Sequence, residues 1–253
     1  MIKNAKKNAK ALMKIHYKEL FICSTIYMFL QALDYLFFNV IISYLYWENF
    51  NHLLQILFLI CFIGLEFVFI PVSLVGLFKK IFSLDIIEGA NSEFSVKQMF
   101  SKELILKIVK SDFIPRLLRF LVFSCSTKMF YYNQNYYLAG NIFSIINIFI
   151  SYKFFAVDYF IAIGNEHPIK NSFKTMNCIF LKYIGLFLSF LGYGMLIAAI
   201  GVVLQYLIIG YYSANVYLPQ LNVFISFGFG VGFYSIPYIF CTQYYWLNDL
   251  SKC

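Results

Sequence analysis

The chain has 253 residues, 61% of them hydrophobic and only 13% charged, with a formal net charge of +8. Soluble domains run nearer half apolar and a quarter charged, so this composition argues against a water-soluble enzyme. Basic charge suggests nucleic acid only on a soluble surface; here the lysines flank apolar blocks, no zinc-finger spacing or DNA-reading helix stands apart from them, and no nucleic-acid partner is expected.

Residues 1–19 carry Lys3, Lys7, Lys10, Lys14 and Lys18 at spacings of three and four, which gathers them on one helical face. Ile2, Ala5, Ala9 and Leu12 make an apolar stripe elsewhere. The segment is expected to be a basic amphipathic helix on the inner leaflet, or simply a topological anchor. The apolar stretch that follows, about Leu20–Trp47, is too long for a signal-peptide core and is read as an uncleaved first span. A lysine-free turn, Glu48–His52, leads to span 2 at about Leu53–Phe78, where Pro71 is expected to kink or break the helix.

Residues 79–112 form the longest polar connection. Ser95 and Gln98 have capping-box spacing with Phe94 as staple. Met99, Phe100, Leu104 and Ile108, interleaved with lysines, read as a second amphipathic helix at the cytoplasmic surface. Span 3 covers about Phe113–Tyr132, with Pro115 in its first turn. After the turn Asn133-Gln134-Asn135 comes span 4, about Tyr136–Ile163. A basic connection, Gly164–Cys178, precedes span 5 at about Ile179–Gly210. The lysine-free loop Tyr211–Gln220 precedes span 6 at about Leu221–Leu247, where Pro237 predicts a second kink.

The fold expected is a single all-α integral membrane domain over 1–253, a polytopic bundle of about six transmembrane helices with cytoplasmic amphipathic helices. Each block approaches the roughly 20 residues that a hydrocarbon core demands. The lysines avoid every second connection, and retention of positive charge inside then places both termini in the cytoplasm, beside anionic inner-leaflet lipid.

Charges inside apolar blocks are the candidate site residues, because each costs about 2.5–3.5 kcal/mol at a helix centre on insertion scales. Asp34 lies midway along span 1, Glu66 midway along span 2, and Lys153 and Asp158 in the inner half of span 4. One reading has Asp34 and Glu66 facing the bundle interior with Lys153 as counter-ion, able to bind a cation, relay protons or hold a polar headgroup. The other has neutral carboxyls or simple pairs joining neighbouring helices. Small residues at i, i+4 spacing, Gly185/Ser189, Gly194/Ala198 and Gly228/Gly232, predict close packing of spans 5 and 6, or a homodimer face.

The six cysteines and three histidines show no metal-ligand spacing. No zinc-protease, nucleophile-elbow, phosphate-loop or dinucleotide motif occurs in a fitting context. No cofactor, no metal and no enzymatic activity are therefore expected.

Before span 5 stand Ser172 and Met176, followed by Leu188-Ser189-Phe190-Leu191-Gly192-Tyr193; span 6 carries Pro237-Tyr238 and then Tyr244-Tyr245, and the chain starts with the run Lys6-Lys7-Asn8-Ala9-Lys10. In these features the chain resembles the bacterial six-span membrane proteins of domain-of-unknown-function family 975, over roughly residues 150–247. Tyr193 and Asn177 depart from the tryptophan and glycine usual there. The resemblance implies a bacterial plasma-membrane location and carries no catalytic residue. The function expected is binding or accessory work on another membrane component, a protein, peptide or lipid, including self-protection against a membrane-active peptide. The alternative is a small transporter or channel using Asp34, Glu66 and Lys153.

Overall fold

The computed structural model describes residues 1–45, 52–86, 98, 100–132, 137–177, 179–193, 195, 199 and 231–252. Their regular elements are α1 (Ile2–Leu45), α2 (His52–Gly64), a π-helical turn (Leu65–Phe69), α3 (Ile70–Ile86), α4 (Lys102–Tyr132), α5 (Tyr137–Phe154), α6 (Val157–Ala162), α7 (Pro168–Thr175), α8 (Phe180–Leu188) and α9 (Val231–Ser251). Among the described residues there is no strand, as the apolar blocks predict. Leu59–Ile86 and Asn141–Ala162 are long and apolar enough to cross a membrane; Pro168–Thr175 with Phe180–Tyr193 makes a third such stretch only across an 88° bend. The predicted cap at Ser95, the turn at 133–135, the loop 211–220 and the adjoining parts of spans 5 and 6 lie outside the described residues.

Helix α1 joins the basic segment and the first apolar block into one element. His16, with φ −115° and ψ 25°, kinks it at their junction. The stripe expected to face lipid is instead covered by protein: Ala5 and Ala9 are fully buried, and Leu12 and Met13 nearly so. Alanine's short side chain lets neighbouring helices approach closely there, and the exposed lysines occupy the opposite side.

Pro71 marks an irregularity in span 2, as expected, and not its end. Its missing N–H deprives Phe67 of the usual helical donor, and the chain answers one turn earlier with the π-turn, in which the Ile70 N–H bonds to the Leu65 carbonyl. The helix then continues to Ile86, beyond the predicted end at Phe78. The second amphipathic helix and span 3 are likewise one element, α4, with Pro115 inside it and not in a first turn. Ser101 caps α4, its Oγ accepting the Leu104 N–H at 3.4 Å. Helix α9 also carries its proline, Pro237, without a break.

A buried cluster gathers the N-terminal half of α1 with α3, α6 and α9, with Trp246, Tyr159 and Tyr244 its largest fully buried side chains. Edge-on rings bind it: Tyr159 to Tyr244 at 5.7 Å, Phe78 to Tyr159 at 6.5 Å and Phe155 to Trp246 at 6.2 Å. Such geometry sets the positive ring edge against a neighbour's negative face. The chain leaves α6 through Gly164, at φ +83°, with the Asn165 N–H returning to the Phe160 carbonyl at 2.9 Å. That left-handed position suits glycine. The basic connection beyond it, expected as a loop, contains α7, which Pro168 opens at its first turn. Gly164→Ala is expected to lower stability by about 1–2 kcal/mol. The backbone alone is responsible, since an added Cβ would meet nothing within 4 Å; the melting temperature in detergent checks this.

Candidate functional site

Of the four charges within apolar blocks singled out in the sequence, the fold brings two together. Asp34 on α1 lies in hydrogen-bond contact with Glu66, which stands in the π-turn. Asp34 Oδ1 is buried and has no hydrogen-bond partner among the described residues. A hydrogen bond between two carboxyls requires a proton on one of them. π-Turns recur at functional sites because the extra residue breaks the regular ladder.

One turn from the carboxyls lies an apolar groove of about 500 Å³, lined by Thr25, Ile26, Phe29, Leu30, Phe69 and Phe100. Leu30 precedes Asp34 by four residues and Phe69 follows Glu66 by three, so groove and carboxyl pair are stacked along neighbouring helix faces.

Lys153 is not their counter-ion. Its Nζ reaches Asn177 Oδ1 at 3.4 Å and lies over the Phe149 and Tyr152 rings. The reason is its position in the last turn of α5, near the end where α7 packs. Asp158 belongs to a different pair. Arg116 Nη2 donates to both of its carboxylate oxygens, at 3.2 and 3.3 Å, with both side chains 7% exposed. Arg116 is one of only two arginines among lysines; that rarity was the available signal, since arginine's planar fork suits a buried carboxylate.

Two further polar links escaped the sequence reading. Lys80 of α3, itself buried, pairs with Glu19 of α1, beside His16. Asp85 accepts hydrogen bonds from Tyr244 at 3.3 Å and Tyr245 at 2.6 Å, so the doubled tyrosine ties α9 to the end of α3. Neither link has a sequence periodicity to reveal it. The hydrogen bond from Lys80 holds the Glu19 carboxyl below its ordinary 4.5, against the opposing effect of burial, with the Lys80 charge and His16 adding to the lowering. A depressed carboxyl contributes stability above its ordinary value and loses it as the pH falls through the folded value. Glu19→Gln is therefore expected to flatten the acid limb of melting temperature against pH. The change is small, because the Glu19 side chain is 40% exposed and solvent screens it.

Gly185 and Ser189 face α1, while Phe190 and Tyr193 beside them meet the Tyr238 ring of span 6 with centres 6.1 and 6.0 Å apart. Ile2 lies where a Cβ on Gly185 would come within 3.7 Å, and Lys6 Nζ donates to the Ser189 carbonyl at 2.7 Å. Gly194, Ala198 and Gly228 lie outside the described residues, while Gly232 falls in the first turn of α9. Among the described residues no three His, Cys, Asp or Glu side chains are grouped to hold a metal. No family model matches the chain, and neither curated proteins nor solved structures give a match.

Proposed function

We propose that the chain is a multi-pass protein of a bacterial plasma membrane, with six crossings and both termini inside, that binds another membrane component. Kinship with family 975 is part of the same reading and rests on the motifs alone. The observation that carries the binding role is the Asp34–Glu66 carboxyl pair stacked on the apolar groove. Together they offer an acidic point and an apolar trough, which suits a cationic amphiphile such as a membrane-active peptide. Self-protection against such a peptide is the form of the role that this chemistry fits best. Catalysis is not proposed, because the site offers no nucleophile beside a base.

The test is binding of a cationic amphipathic peptide by the full chain in vesicles. Asp34→Asn and Glu66→Gln remove charge at nearly constant shape, and each is expected to weaken binding at least tenfold at normal abundance. Unchanged affinity in both variants sinks the proposal. The second reading, a small transporter, uses the same two carboxyls without Lys153. Solute or proton flux through reconstituted vesicles, abolished by Glu66→Gln, favours it instead.

A further inference from the structure

We infer that α8 and its continuation to Leu191 lie flat in the headgroup–acyl boundary of the inner leaflet, an apolar face pressed into lipid, and do not form the first half of a crossing. The inference rests on the membrane reading above.

Three sides of this segment are distinct. Leu186 and Phe190 are buried against the core. Gly185 and Ser189 meet the basic half of α1 through Ile2 and Lys6. The remaining arc is apolar and open: Phe180 is 42% exposed, Leu181 82%, Phe187 45%, Leu188 60% and Leu191 55%. Such an arc needs hydrocarbon. The helix beside it needs water or phosphate, because Lys3 and Lys7 project from it exposed. Only the boundary between the two media satisfies both neighbours at once.

The position of Lys6 excludes an upright arrangement. Its ammonium sits on the carbonyl of Ser189 and 4.6 Å from the centre of the Phe190 ring, at the far end of α8. Had α8 entered the hydrocarbon at Phe180, it would carry this charge about 13 Å inward at the helical rise per residue. The exposed ammonium groups of Lys3 and Lys7 would go with it. In the flat arrangement all of them stay level with the phosphates. Lys170 and Lys174 of α7 and Lys182 of α8, all exposed, add positive charge that anionic headgroups complement. The 88° bend between α7 and the segment Phe180–Tyr193 prevents the two from forming one straight crossing. Chain length agrees. The apolar run 179–210 is far longer than one crossing requires, and 192–210 alone is close to the ~20 residues needed.

The experiment measures depth. Leu181→Cys, Leu188→Cys and Leu191→Cys, each in a full chain whose native cysteines are alanine, carry a small fluorophore. The chain is reconstituted in vesicles with anionic lipid and quenched by lipids brominated at graded acyl depths. Ile60→Cys, in the long apolar helix and 63% exposed, is the control. The expected result is one shallow depth for all three sites. A progressive increase approaching 15 Å from residue 181 to 191 overturns the inference. If Ile60 is quenched and the three sites are not, protein covers the arc and the inference fails by itself. If Ile60 also escapes quenching, the membrane reading fails with it. Lys6→Met gives a second measurement: with its anchor on Ser189 gone, the spread of depths among the three sites is expected to widen, and an unchanged spread overturns the inference.

Discussion

Arg116→Ala is expected to destabilise the protein by about 3–5 kcal/mol, because it leaves Asp158 as a buried charge without its guanidinium partner. Both side chains are 7% exposed, so water cannot take over the missing role. The double variant Arg116→Met, Asp158→Leu separates two accounts. If the pair were valuable for its attraction, removing both ends would be worse than removing one. If the damage lies in a stranded charge, the double variant recovers most of the loss. Recovery is expected, read as melting temperature and as the fraction of monodisperse protein in detergent. A double variant no better than the singles would show that the pair's own attraction, or its other contacts, matters more.

Trp246→Ala should have an effect of similar size, about 3–5 kcal/mol, since it empties a fully buried site. The indole packs edge-on to Phe155 at 6.2 Å. Its Nε1–H is buried with no hydrogen-bond partner among the described residues, so the N–H itself contributes nothing favourable there. Trp246→Phe is accordingly expected to retain well over half of the stability that alanine loses. A phenylalanine variant as damaged as the alanine one would mean that the N–H has a partner after all.

The helical character of the chain was legible because hydrocarbon leaves few choices. Long apolar blocks between lysine clusters give helices, and the stripe Ile2, Ala5, Ala9, Leu12 marked a real buried face. What covered that face was not legible. Periodicity reports that a side is apolar, not whether lipid or a distant helix meets it; here protein covers it, with α8 and α9 alongside. Proline was similarly ambiguous. Pro115 and Pro237 sit inside continuous helices, whereas Pro71 stands at the start of α3, directly after the π-turn that separates it from α2.

The site was half legible. Asp34 and Glu66 stood out through the expense of charge in an apolar block, and the fold joins them. Lys153 and Asp158 stood out equally and go elsewhere, since one-dimensional depth says nothing of which helix faces which. Glu19, Lys80 and Asp85 lie in the polar connections, where charge is commonplace, so nothing in the sequence separated a structural tie from a solvated side chain.

The extensive packing of α1 against α9 carries a consequence for how the protein is made. Tyr27 meets Phe240 with ring centres 5.1 Å apart, and Lys10 lies 6.0 Å from the centre of the Tyr238 ring, so α1 must wait for α9, which is made much later. Until that moment the nascent chain exposes an unfinished seam, and closing it joins segments far apart in sequence, which is slow. Assembly should therefore behave as a late all-or-none event, leaving premature termination products for proteases.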